Sequence, residues 1–179
     1  MLNNIGKVIN VRPMKIDLSE LKRQIKLDKK HWRHILTTNC YAFALGLDVP
    51  ERKIKTFAYA PGTIGLSSTN LVMQRYFTLE NLISNIQDDL IHMGISFSEC
   101  NPLEKVDDDE WKIALFTAFY AFVCYDCYLY DYHFMRQSKD GLWYHKDGYV
   151  HRPTCFDSNK EVIHDPRKCT FKNYEYQLT

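Results

Sequence analysis

Residues 130–146 constrain the fold more than any other part of this chain. Residues 130–137 (Tyr-Asp-Tyr-His-Phe-Met-Arg-Gln) read as a strand, 138–141 (Ser-Lys-Asp-Gly) as a tight turn, and 142–146 (Leu-Trp-Tyr-His-Lys) as the returning strand. A polar turn ending in glycine between two aromatic-rich runs is a hairpin signature. A second hairpin-like break follows at Asp147-Gly148. The second half of the chain therefore predicts an antiparallel sheet.

The first half reads as helical. In residues 17–32, Leu18, Leu21, Ile25 and Leu27 recur among charges, with Asp17 or Ser19 placed to cap the start. Thr37, Thr38 and Asn39 precede Cys-Tyr-Ala-Phe-Ala-Leu-Gly, which predicts a helix beginning at Cys40, capped by Asn39 and ending near Gly46. Residues 78–92 predict a longer helix, capped by Thr78, with Leu79, Leu82, Ile83, Ile86 and Leu90 as its apolar stripe. A short strand is expected at 93–97 and an acidic loop at 101–110. Residues 111–120 are apolar on both faces and fit a buried strand or a buried helix equally. The tail carries an Asp-Ser-Asn turn at 157–159 and ends in a tyrosine-rich β segment. Helices first and strands after predict an α+β domain with N-terminal helices packed on an antiparallel β-sheet.

The length of 179 residues suits one domain spanning 1–179, with 1–36 as an N-terminal helical extension and 37–179 as the core that carries chemistry. The 23 basic and 22 acidic side chains leave a net charge of +1, which gives no general pull toward nucleic acid or anionic lipid. The basic run from Lys22 to Arg33 reads as a solvated helix face. The amino terminus lacks the apolar stretch of a secretory signal, and no apolar run approaches the ~20 residues of a membrane span. A cytoplasmic protein is expected, with any export by a non-classical route.

Six cysteines without an export signal are expected as free thiols. Cys124 and Cys127 have the spacing of a zinc or redox pair, and His151 and Cys155 are possible further ligands. On a strand, however, positions three apart face opposite sides, so neither metal nor cofactor is expected. The Gly62–Gly65 stretch is too short for a phosphate loop.

Cys40 stands apart. At a helix start, unsatisfied amides and the helix dipole favour thiolate over thiol. His133 lies on the first strand of the hairpin with Asp131 on the same face. His145 lies on the return strand, and a turn centred near Lys139 and Asp140 places the two histidines nearly opposite. One imidazole takes the thiol proton and the other fixes its tautomer. Asp157, Asn159 and Asp165 are alternative orienters, and Asn39 and Asp131 are candidate supporting residues.

A helix-starting cysteine, a strand histidine and a polar residue on the next strand resemble the NlpC-type and CHAP-type peptidases and amidases of the papain-like superfamily. Cys40, His133 and His145 match that order, and the segment from Asn39 to Ala44 is similar to the cysteine helix of CHAP-type domains. The resemblance covers roughly residues 37–146, in motif order rather than continuous identity. The Asp-Cys-Ser-Gly pattern common in NlpC-type enzymes is absent, and so is a clear oxyanion side chain; the backbone N–H of Cys40 is the remaining donor. The resemblance implies a papain-like cysteine hydrolase that cleaves an amide bond in a peptide, peptidoglycan-peptide or protein substrate. The alternative is a non-catalytic binding domain on the same scaffold, of a toxin, immunity or phage-encoded kind.

Overall fold

The computed structural model describes residues 8–13, 38–47, 60–64, 78–105, 107, 110–122, 127–147, 152–171 and 177–178. Its elements are β1 (Val8–Pro13), α1 (Cys40–Leu45), α2 (Leu79–His92), β2 (Ile95–Cys100), β3 (Trp111–Phe122), β4 (Cys127–Gln137), β5 (Trp143–His145) and β6 (Gln177–Leu178), with a 3-10 turn at Pro166–Lys168. The strands form one antiparallel sheet in the order β2-β1-β3-β4-β5. β6 pairs with β3 at Phe116 and Thr117, on the edge that β1 occupies from Trp111 to Ala114. The architecture is α+β, with helices on an antiparallel sheet.

Both described helices begin where their caps predict. The Asn39 side chain accepts from the Ala42 N–H at 2.8 Å, and Gly46 closes α1 with φ 71°, a conformation that favours glycine. Thr78 caps α2 by accepting from the Asn81 N–H at 3.1 Å. Gly94, at φ 68°, turns the chain from α2 directly into β2. The predicted strand at 93–97 thus starts and ends later, at Ile95–Cys100.

One expectation needs correction. Val8–Pro13 is a strand inside the sheet, hydrogen-bonded to β2 on one side and β3 on the other. The extension and the core are therefore not separable at residue 36, and strands do not wait for the helices to finish. The helix expected at 17–32 lies outside the described residues, as do Cys124 and His151.

The sheet is covered on both faces, which explains why residues 111–120 looked apolar all round. Strand alternation sends Trp111, Ile113 and Leu115 toward α1 and α2, where Tyr132 and Phe134 of β4 join them. Ala114 and Phe116 point the other way, with Val8, Met135 and Trp143. No helix covers that second face among the described residues. Residues 154–171 lie over it instead, bringing Ile163, Cys169 and Phe171. The covering segment is tied to β5 through paired bonds between His145 and Thr154, both 2.9 Å, and through Trp143 N–H to the Ile163 carbonyl at 3.0 Å. Asp157 braces the segment's own turn by accepting from the N–H groups of Asn159, Glu161 and Thr170.

Candidate functional site

The structure brings His133 and His145 together. Their nearest ring nitrogens, His133 Nε2 and His145 Nδ1, are 3.0 Å apart, and both side chains are buried. The hairpin register pairs His145 with Met135, not with His133. The histidines are diagonal neighbours on one face, two residues out of step with the expected pairing. His145 Nε2 lies 3.0 Å from the Phe156 carbonyl oxygen, which can only accept. In the neutral ring His145 therefore carries its proton on Nε2, and its Nδ1 accepts from His133 Nε2–H. Burial, helped by the neighbouring His145, pushes the His133 ring down to about 3. Burial also lowers His145, against the Phe156 carbonyl and the Asp147 and Asp157 carboxylates. Both imidazoles are neutral at pH 7.

Cys40 does not join them. It packs with Tyr41, Ile113 and Phe134 on the helix-bearing face. Phe134 and His133 are successive strand residues, so their side chains leave the sheet on opposite faces. No hydrogen bond links Cys40 to His133. The expected Cys-His-His triad is thus split by the sheet: its two imidazoles meet, and its sulfur lies across from them. Burial also drives the Cys40 thiol up to about 12, and the Asp131 carboxylate adds to the rise; the backbone N–H groups of Phe134, Tyr41 and Cys40 pull it down without prevailing. The dipole of a helix only six residues long does not offset this desolvation.

The remaining sequence candidates have other occupations. Asn39 is the α1 cap, on the Cys40 side. Asp131 accepts from the Tyr132 N–H at 2.9 Å and shares the His133 face by alternation. Asp157 holds its own turn, Asn159 is exposed on that turn, and Asp165 is paired with Arg167 at 2.7 Å. The orienting partner of His145 is the Phe156 carbonyl, which no reading of side chains finds. Among the described residues Cys40, Cys100, Cys155 and Cys169 are free, and no cluster of three or more His, Cys, Asp or Glu side chains is placed to hold a metal ion. Nor is any described helix long and apolar enough to cross a membrane.

Comparison with family models, curated proteins and solved structures finds no match.

Two features on the helix-bearing face went unread in the sequence. One is a cavity of about 320 Å³ between α2 and the centre of the sheet. Ile86 and Leu90 line it from the helix, Ile9, Leu115 and Phe134 from the sheet, and the exposed Gln87 and Ser98 at its opening. The other is a set of buried cations. The Arg136 guanidinium stacks on Trp111, 4.6 Å from the ring centroid, and donates to the Ala44 carbonyl at 3.4 Å, leaving Nε without a partner. Burial lowers it to about 9, so it stays charged at neutral pH. Lys146, fully buried, is pushed down to about 8 by desolvation, against the opposing influence of Cys40 and Asp147.

Proposed function

We propose that this chain is a non-catalytic binding domain whose ligand is a small, mainly apolar molecule held between α2 and the sheet. The observation that carries this reading is the cavity of about 320 Å³, walled by Ile9, Ile86, Leu90, Leu115 and Phe134. Small-ligand pockets begin near this size and are mostly apolar, with a few polar groups that fix orientation. Here Gln87 and Ser98 offer neutral hydrogen-bonding groups at the opening, beside the exposed acidic side chain of Glu99. The Cys40 thiol, kept protonated by burial on this same face, and the two neutral imidazoles on the far face supply no nucleophile to this space.

Leu115→Trp tests the proposal by filling the cavity. The neutral fluorophore N-phenyl-1-naphthylamine is expected to bind the native chain saturably and one-to-one. The variant is expected to bind at least roughly ten-fold more weakly, a loss of about 1.4 kcal/mol. Because the added ring enters existing space, the variant is also expected to keep its melting temperature, where overpacking a filled core costs roughly 1–3 kcal/mol. Equal binding by both proteins sinks the reading.

A papain-like thiol hydrolase is the second proposal, and one observation favours it. The N–H groups of Phe134, Tyr41 and Cys40 act on the Cys40 sulfur, which is the surrounding that a thiolate or a developing oxyanion needs. In that reading Cys40 attacks an amide carbonyl of a peptide or protein. Its base would be the neutral form of Lys146, its electrostatic neighbour, which then returns the proton to the leaving amine, because His133 faces away.

A further inference from the structure

We infer that the cavity between α2 and the sheet takes a lipophilic amine, with an apolar body of about ten to twelve carbons inside and one ammonium group against Glu99. The inference rests on the reading of this cavity as a ligand site and adds the sign of the ligand's charge.

The cavity has one wet end and one dry end. Across the sheet, Glu99 of β2 stands opposite Ile9 of β1, and Ile9 stands opposite Ile113 of β3. Leu115 of β3 and Phe134 of β4 form the next pair inward. Among the described residues β2 is the outer strand of this path, so the floor runs from the sheet's edge to its centre. Strands lie about 4.8 Å apart, which puts β4 three spacings, about 14 Å, from β2. Ile113 and Phe134 are each 2% exposed, whereas Gln87, Ser98 and Glu99 are open to solvent. A ligand that fills this space has its polar group at one end, and that end lies at the sheet edge.

Volume sets the size of the apolar part. A dry cavity of ~150 Å³ lined by similar side chains admits benzene. The space of about 320 Å³ here is roughly twice that, room for two such rings or a chain of similar bulk.

Charge selects among molecules of that size. Glu99 is the one ionisable side chain among the described residues that line the cavity. The opposite wall, α2, carries Glu80, Asp88 and Asp89 and has no lysine or arginine. Arg136 and Lys146, on the same face of the sheet, are buried and stand outside the lining. At the opening an ammonium is attracted to Glu99, a hydroxyl is nearly indifferent, and a carboxylate meets a like charge. The contact that Glu99 makes within the chain does not exhaust its acceptors, because its two oxygens offer about four lone-pair sites. The head group stays wet at the rim, so its charge is not stripped of water on binding.

Displacement of N-phenyl-1-naphthylamine by decylamine, decanol and decanoate tests the charge, at pH 7, low salt and below micellar concentrations. Exposed charge pairs change affinity by a few-fold. Decylamine is therefore expected to bind about three-fold tighter than decanol and about ten-fold tighter than decanoate. Glu99→Lys, at an exposed position, is expected to reverse the order of amine and acid and leave decanol unchanged. Leu115→Trp is expected to weaken all three. Decanol or decanoate binding as tightly as decylamine, or an order that Glu99→Lys leaves unchanged, overturns the inference. Amine binding that survives Leu115→Trp lies outside the cavity and overturns it too. In each of these cases saturable binding of the fluorophore leaves the cavity reading standing; failure of the fluorophore itself to bind overturns both.

Discussion

Asp89→Ala is expected to lower the unfolding free energy by about 3–5 kcal/mol, a large part of what a domain of this size possesses. Asp89 lies on the buried side of α2 with 2% of its surface exposed. Its carboxylate accepts from the Tyr41 hydroxyl at 2.8 Å, from the Gly62 N–H at 2.6 Å and from the Ile64 N–H at 2.9 Å. One side chain therefore ties α1, α2 and the 60–64 loop together. Alanine removes the acceptor shared by a fully buried phenol hydroxyl and two part-buried amides, and each hydrogen bond lost to a buried donor costs roughly 1–3 kcal/mol. Asparagine keeps one oxygen and is expected to lose about half as much. Urea unfolding measures both, and an alanine loss under about 1 kcal/mol with an unchanged slope would show that water replaces the carboxylate.

The second large effect is expected at Phe134. This ring is buried, 4.9 Å from Tyr41 and 5.6 Å from Tyr132 between centroids, and one side of it faces the cavity. Phe134→Ala is expected to cost about 3–5 kcal/mol, since the lost contacts are compounded by the space left behind. That space is continuous with the cavity, so the variant is expected to gain affinity for bulkier apolar ligands as it loses stability. It also removes the ring that packs beside Cys40, and the thiol is expected to become measurably more accessible. Loss of stability without either gain would mean that the surrounding chain collapses into the site.

Local signals in the sequence translated directly into structure wherever the chemistry is local. Asn39, Gly46 and Thr78 cap and close helices because their side chains or backbone freedom satisfy nearby amides and carbonyls. The hairpin around Ser138 to Gly141 formed for the same reason, with Gly141 at φ 81°. What failed was non-local. β1 is six residues ending in proline, with no pattern of its own strong enough to mark it; its neighbours β2 and β3 supply its hydrogen bonds. The ambiguity at Trp111 to Phe119 reflected a real property, a strand packed on both faces from Trp111 to Ala118. Alternation along β4 was legible, so His133 and Phe134 had to diverge. Which of the two faces α1 covers is decided by packing, not by sequence spacing, and that choice parts Cys40 from the histidines. The hairpin register shifted the histidine pairing by two residues, because the turn sequence does not fix where the ladder begins.

The separation of Cys40 from His133 by the sheet is tested most directly by alkylation of the native chain with iodoacetamide at pH 6, followed cysteine by cysteine. Cys40 is expected to react more slowly than the partly exposed Cys100 and Cys155, and His133→Gln is expected to leave its rate unchanged. Cys40 reacting far ahead of the others, and slowing when His133 is replaced, would contradict the arrangement and restore the thiol–imidazole pair.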